Sequence, residues 1–246
     1  MQRTIQAAVL GGLVAVSSAM LSGQADASLL KPDATRSYPD IAADINGTVS
    51  FDAETGVFEV INTPYLIAGG NSAASEFPIL PTADGVRSQV LRLRLDSSGN
   101  LLDDPINTYE MHGHIEANGE VFSGLLLKGN PTDFGYLNLG PVTGSDGTSI
   151  DLGVDLFDVD VDVTDGALAE FFGDSFYMRI TPELESTFNG NFAEDFTALK
   201  ATSNTRSYVS EHPFPIPEPT TIAVLLAGGL GLAYRHRRRL ALRSDG

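Results

Sequence analysis

The amino-acid sequence predicts an all-β fold, either an antiparallel sandwich or a barrel. Three observations support this prediction: apolar and polar residues alternate with a period of two, turn motifs separate the alternating runs, and helical periodicity is scarce. Many short strands that each have one polar face are typical of sandwiches and barrels. The 246 residues include no Cys, which excludes disulfides, thiolate zinc sites and thiol chemistry.

The alternating runs give the predicted strands. In one run Leu91, Leu93 and Leu95 alternate with charged residues, so that one face of the strand is apolar. One or two helical turns are expected at 166–173, and 64–86 has the composition of a loop. The predicted strands are 44–52, 56–62, 87–96, 108–117, 120–128, 149–163 and 175–181.

Turn motifs separate several of these strands. The strongest is Asn118-Gly119, because both residue types tolerate the positive φ that a two-residue type I′ hairpin requires. The segments 52–56 and 96–100 have similar turn compositions.

An acidic row occupies one face of the predicted strand 149–163. Asp158, Asp160 and Asp162 alternate with Val residues, and we interpret them as a solvated face whose replacement by Asn changes stability little. A weak Ca²⁺ site is the alternative, because hard cations prefer carboxylates. On a strand, the side chains of residues i and i+2 are parallel and roughly 6.7 Å apart, which argues against one compact site.

The same strand changes phase near residue 156. Ile150, Leu152, Val154 and Leu156 alternate in the phase opposite to that of the later Val residues. A bulge within the strand or a bend between two sheets would produce this change.

A second polar stripe occupies the predicted strand 108–117. His112 and His114 share one face with Glu110 and Glu116, which predicts a solvent-facing stripe; a His-x-His metal site completed by a Glu is the alternative. The chain has no G-x-S-x-G, no H-E-x-x-H and no Gly-rich phosphate loop after a strand. We therefore expect neither an enzyme nor a dedicated cofactor.

Residues 1–27 have the pattern of a secretory signal peptide. Arg3 precedes a mostly apolar run over 5–21, and Ala25 and Ala27 form the small-residue A-x-A pattern that signal peptidase cleaves. We expect cleavage after Ala27 and export of the remaining chain.

The segment 213–246 carries a second targeting pattern. It contains Pro217-Glu218-Pro219, then 15 uncharged residues over 220–234, and then a basic cluster made of Arg235, Arg237, Arg238 and Arg239. A 15-residue helix is about 22 Å long, somewhat short for a bilayer core of about 30 Å, but snorkelling arginines and local thinning allow it to span. The arginines should stay cytoplasmic, which places residues 28–212 outside.

This order of motif, apolar helix and Arg cluster resembles the PEP-CTERM sorting signal, and the resemblance covers about the last 30 residues. It implies that exosortase, a membrane protease-transpeptidase, removes the tail near Pro217-Glu218-Pro219. It also implies export across the inner membrane of a Gram-negative-type bacterium that makes exopolysaccharide, with a membrane-anchored precursor that becomes cell-surface or extracellular. The segment Leu240–Gly246 extends past the usual Arg ending.

The predicted ectodomain, 28–212, is strongly acidic. Residues 28–217 contain nine Lys and Arg against 29 Asp and Glu, a net charge of −20, which argues against a nucleic-acid partner. We expect a non-catalytic structural or interaction protein of the cell envelope, with exopolysaccharide as an expected partner. The alternative is a module that binds or cleaves that carbohydrate, although the chain has no Trp to serve as a sugar platform.

Overall fold

The computed structural model describes residues 29–30, 37–70, 73–138, 141–143, 149–151 and 155–208. The predicted signal peptide, 1–27, and the predicted sorting tail, 213–246, lie outside these residues. Within the described ranges, no helix combines the length and the apolar character needed to cross a membrane.

The described residues form twelve strands, one α-helix and one 3-10 turn at Ala73–Ser75. The helix α1 spans Ala169–Phe172, inside the predicted helical segment 166–173. The strands are β1 (Asp40–Asp52), β2 (Val57–Asn62), β3 (Pro64–Ala68), β4 (Glu76–Pro78), β5 (Ser88–Arg94), β6 (Thr108–Ala117), β7 (Glu120–Asn138), β8 (Pro141–Thr143), β9 (Ser149–Asp151), β10 (Asp155–Asp165), β11 (Ser175–Ser186) and β12 (Phe196–Ser207).

Eight of these strands close into an antiparallel barrel, so of the two predicted architectures the structure has the barrel. The strand order is β12-β11-β10-β7-β6-β5-β2-β1, and β1 pairs back onto β12. β1 is long enough to pair with β2 through 48–52 and with β3 through 40–43, and β4 extends the sheet beyond β3. Closure pairs both edges of the eight-stranded sheet and leaves it without an open edge.

The Asn118-Gly119 prediction is confirmed. Asn118 has φ of 52° and Gly119 has φ of 91°, and the two residues join β6 directly to β7. These positive φ values give the primed turn that matches the twist of a two-stranded hairpin.

The phase change near residue 156 lies inside one strand of the barrel, β10. The predicted strand 149–163 is two strands: β9 pairs only with β8 in a separate two-stranded sheet, and β10 belongs to the barrel. β10 pairs with β7 in regular register from Asp155 to Asp160, and the irregular positions come later. A bulge at residue 156 is therefore wrong, and the predicted bend stays a prediction because residues 152–154, which connect β9 to β10, lie outside the described part of the chain.

Side chains pack both ends of the barrel. Phe188 and Phe192, in the connection between β11 and β12, contact an aromatic cluster, and the Phe188 and Phe196 ring centroids are 4.6 Å apart. At the opposite end α1 buries Phe171 and Phe172. The other members of the aromatic cluster are Phe51, Phe58, Phe134, Tyr136 and Phe157.

A buried polar network crosses the interior between these ends. Gln89 Nε2 donates to the hydroxyls of Tyr109, at 3.0 Å, and Thr205, at 2.9 Å, while Ser203 Oγ donates to Gln89 Oε1 at 3.2 Å. Burial raises the pKa of Tyr109, which keeps this phenol neutral. Because every one of these groups has a partner, the network favours one position of β5 relative to β12 across the barrel interior.

This polar interior explains why the sequence analysis did not predict β12. β12 contributes small and hydroxylated side chains to the inside, so it lacks apolar alternation. The prediction of 64–86 as loop is also wrong at β3 and β4, which are short, and the predicted strand 120–128 continues to Asn138. After Phe196, the inward residues of β12 are Ala198, Ala201, Ser203, Thr205 and Ser207.

Candidate functional site

The aspartate row of β10 is not the solvated face that the sequence predicts. Asp158 is completely buried, with 0 % of its side chain exposed. Arg179 on β11 donates from Nε to Oδ1 at 2.7 Å and from Nη2 to Oδ2 at 2.8 Å. The prediction fails here because the register places Arg179 directly opposite Asp158. The hydrogen bonds to Asp158 raise the pKa of Arg179, which favours the charged guanidinium.

Tyrosine rings cover the next position of the row. Asp160 accepts a hydrogen bond from the Tyr208 hydroxyl, and the Tyr208 ring centroid lies 5.5 Å from that of the buried Tyr177. Burial, together with the bond to Asp160, raises the pKa of Tyr208. Asp162 is exposed, so the prediction of a solvated carboxylate holds at that position alone.

A second polar row runs across the outer face beside the first. Tyr177 on β11 lies opposite Arg206 on β12, which lies opposite Asp40 on β1. Arg206 Nη1 donates to the Tyr177 hydroxyl at 3.2 Å, and its Nε lies 3.2 Å from Asp40 Oδ2. Burial opposes the charge of Arg206, but these two partners raise its pKa overall. The guanidinium is therefore held in place as well as neutralised.

The second row ends at a depression of about 330 Å³ on the outer face of β12, β1 and β3. Ala42 and Ala68 contribute small side chains to it, and Tyr65, 48 % exposed, is one of its walls. The remaining lining residues are Asp40, Leu66, Asn204 and Arg206. The depression combines an aromatic ring with an amide, a guanidinium and a carboxylate, and such a set can orient a small polar ligand.

The stripe on β6 does face outward, as predicted. The side chain of Glu110 is 41 % exposed, and its Oε1 accepts from Lys128 Nζ at 2.7 Å. This hydrogen bond lowers the pKa of Glu110. His114 Nε2 lies 3.2 Å from Glu116 Oε1, and His112 Nε2 lies 3.8 Å from Glu110 Oε2.

A cleft of about 610 Å³ lies between this stripe and the segment 80–87. Ile79 anchors the segment in the core, close to β6, where a Cβ on Gly113 would lie 2.6 Å from Ile79 Cγ2. Thr82 closes the turn by accepting the Val86 amide proton on its hydroxyl oxygen at 3.0 Å. The cleft is preformed, and both carboxylates and hydroxyls line it, including Asp84, Glu110, Ser88 and Ser123.

Neither predicted metal alternative gains support from the geometry. In the part of the chain that the structure describes, no group of three or more His, Asp or Glu is arranged to hold a metal ion. Arg179 occupies both oxygens of Asp158, so Asp158, Asp160 and Asp162 do not converge on one Ca²⁺.

The other sequence-predicted residues lie outside the described part of the chain. These are the signal-peptidase positions Ala25 and Ala27, the motif Pro217-Glu218-Pro219, and the cluster Arg235, Arg237, Arg238 and Arg239. Their roles stay predictions.

Sequence reasoning missed the depression altogether. Tyr65 falls in the segment interpreted as loop, while Asn204 and Arg206 fall in the unpredicted strand β12. The sequence did contain one indication of this strand. Asn204 and Arg206 alternate with Ser203, Thr205 and Ser207, so the period of two typical of a strand is present, but both faces are polar.

The fold and the site define a closed antiparallel β-barrel protein with a polar, partly buried outer face. No family model matches the chain, and neither a curated protein nor a solved structure is significantly similar to it.

Proposed function

We propose that the chain is an exported, non-catalytic protein of the cell envelope or extracellular matrix, sorted and processed by exosortase. The observation that carries this proposal is the order of Pro217-Glu218-Pro219, the uncharged segment 220–234 and the Arg cluster that follows. The signal-peptide pattern of 1–27 supports it independently. Signal peptidase and exosortase are then processing partners, and membrane attachment through 220–234 is transient.

The barrel suits a role in which partners meet the outside of the protein. Its strands, Asp40 to Ser207, lie between the two targeting patterns, and packed side chains occupy its interior and both ends. A net charge of −20 over 28–217 keeps such a body soluble and repels anionic polymers in the absence of bridging cations. We propose weak, diffuse contacts with acidic exopolysaccharide through Ca²⁺, without a dedicated calcium site.

Intact-mass measurement of the protein from its native host tests the processing step. We expect a dominant species that begins at Ser28 and ends near Pro217–Pro219. A dominant species that retains Arg235–Arg239 would contradict the proposal and indicate a permanent tail anchor. A variant in which Glu218 is replaced by Ala is the matched control, because it alters the motif and leaves the apolar segment and the arginines intact.

A module that binds or cleaves carbohydrate is the second candidate. The observation that favours it is the depression beside Tyr65, because exposed aromatic rings pack against the apolar faces of sugars. Retention of the protein on host exopolysaccharide, measured with Ca²⁺ and with chelator, separates the two candidates. Loss of retention in chelator favours diffuse bridging. Chelator-resistant retention favours a specific sugar site, and turnover of the polysaccharide would show an enzyme.

A further inference from the structure

We propose that the depression formed by β12, β1 and β3 binds a single neutral hexose unit of a glycan, with Tyr65 against one sugar face. This inference rests on the second candidate function and assigns the site and the chemical class of the ligand. No residue of the predicted sorting signal takes part in it.

The size and shape of the depression fit one sugar ring. Its volume of about 330 Å³ lies at the lower end of the range for small-molecule sites. Ala42 and Ala68 leave room above the sheet because their side chains stop at Cβ. Tyr65 stands at the rim and offers an amphipathic ring, which packs against C–H groups and keeps its hydroxyl in water.

The charged groups of the depression are held in place before any ligand binds. Arg206 is held by the Tyr177 hydroxyl and by Asp40, and Asn204 lies opposite Ala42 in the register of β12 and β1. Donors and acceptors that are already ordered lose little conformational entropy on binding, so weak single contacts add up. A guanidinium, an amide and a carboxylate together match the mixed donor and acceptor character of sugar hydroxyls.

Charge selects a neutral sugar over a uronic acid. The positive charge of Arg206 is compensated by Asp40 within the same depression, so the site offers no excess positive charge. The surrounding domain carries a net charge of −20 over 28–217, which repels an anionic ligand. Binding of a neutral hexose should accordingly depend little on ionic strength.

Saturation-transfer NMR with the full chain in mild detergent tests the proposal. The probes are the methyl glycosides of glucose, galactose and mannose, together with methyl glucuronide. We expect binding of at least one neutral glycoside and weaker binding of the glucuronide. Tyr65→Ala should weaken binding about tenfold, in line with the loss of one aromatic contact, and Tyr65→Phe should retain it.

Two further variants keep the test decisive if Tyr65→Ala folds poorly. Ala42→Leu fills the depression and should abolish binding without removing any polar group. Leu102→Ala is the matched control, because Leu102 is 41 % exposed but lies outside the depression, and it should bind as the wild type does.

The outcomes separate the site from the function. Binding that Ala42→Leu and Tyr65→Ala leave unchanged would overturn this site and preserve a carbohydrate function elsewhere on the protein. A stronger response to the glucuronide than to every neutral glycoside would overturn the charge argument. Absence of binding to all four probes would overturn the proposal; chelator-resistant retention on exopolysaccharide would then still support the second candidate, and loss of that retention would remove it.

Discussion

The outer faces of β6 and β10 have the same sequence pattern and opposite environments. Both strands alternate apolar residues with ionisable ones, and both have a cation on the neighbouring strand: Lys128 beside Glu110, and Arg179 beside Asp158. Glu110 is 41 % exposed, whereas Asp158 is fully buried. Alternation therefore identifies the outward face of a strand, but it does not reveal whether other side chains cover that face.

The difference lies in what surrounds the two carboxylates. Asp158 accepts two hydrogen bonds from one guanidinium, and Tyr177 and Tyr208 cover the adjacent part of the face. Glu110 receives one bond from a flexible ammonium beside an open cleft. Removing one partner of a buried pair leaves an uncompensated charge, whereas water replaces the partner of an exposed one. The two pairs should respond very differently to substitution.

The largest expected effect comes from Asp158→Asn. This change leaves Arg179 partly buried without its counter-charge and should lower the free energy of unfolding by about 3 kcal/mol. Urea denaturation of the full chain measures it. Asp162→Asn is the matched control in the same strand, and its effect should stay within about 0.5 kcal/mol because Asp162 is exposed. Equal losses of stability in Asp158→Asn and Asp162→Asn would contradict the difference in environment between the two carboxylates.

A smaller effect is expected from Arg179→Lys. The ammonium keeps the charge but cannot make the two parallel hydrogen bonds of the guanidinium, so stability should fall by about 1.5 kcal/mol. The converse change on β6, Lys128→Arg, should leave stability nearly unchanged, because the pair with Glu110 is exposed. Thermal unfolding followed by circular dichroism measures the stability of both variants against that of the wild type. A larger loss for Lys128→Arg would contradict the assignment of environments.

Glu110→Gln should cost less than about 1 kcal/mol at neutral pH, because solvent screens this pair. Lys128 lowers the pKa of folded Glu110 below the ordinary value of 4.5 for a glutamate side chain. Its contribution is therefore present above that value and is lost as the pH falls through the folded pKa. Urea denaturation at neutral and acidic pH should give free energies of unfolding for the wild type and the variant that become equal at acidic pH. If the difference in free energy of unfolding between the wild type and Glu110→Gln grew as the pH fell, the expected pH dependence would be contradicted.

The smallest expected effect is that of calcium. Arg179 already occupies Asp158, so millimolar Ca²⁺ should leave the thermal midpoint of the wild type unchanged apart from a general salt effect. Mg²⁺ at equal ionic strength is the control. A rise specific to Ca²⁺ that disappears in Asp160→Asn and Asp162→Asn would restore the calcium interpretation of the row.

The all-β class, the Asn118-Gly119 hairpin and the outward stripe of β6 were predictable, because each depends on local alternation or on backbone preference. β12 was not predictable from apolar alternation, since Gln89 and Tyr109 create a polar interior that accepts Ser203 and Thr205 in place of apolar side chains. Gln89, in phase with Leu91 and Leu93, was the one local indication of that interior.

The outer rows could not be predicted for a different reason. The contact between Asp158 and Arg179 depends on the register of β10 against β11, and the depression depends on β1 pairing with both β12 and β3. Register follows from the closure of the whole barrel rather than from either strand alone. A row of carboxylates by itself is consistent with a solvated face and with a paired one.

Two double-mutant cycles test the central claim most directly. One combines Asp158→Asn with Arg179→Met, and the other combines Glu110→Gln with Lys128→Met, with the free energy of unfolding measured by urea denaturation for each single and double variant. The structure predicts a coupling energy of about 2 kcal/mol or more for Asp158 and Arg179, and of about 0.5 kcal/mol or less for Glu110 and Lys128. Equal coupling energies in the two cycles would contradict the claim that one row is buried and the other solvated.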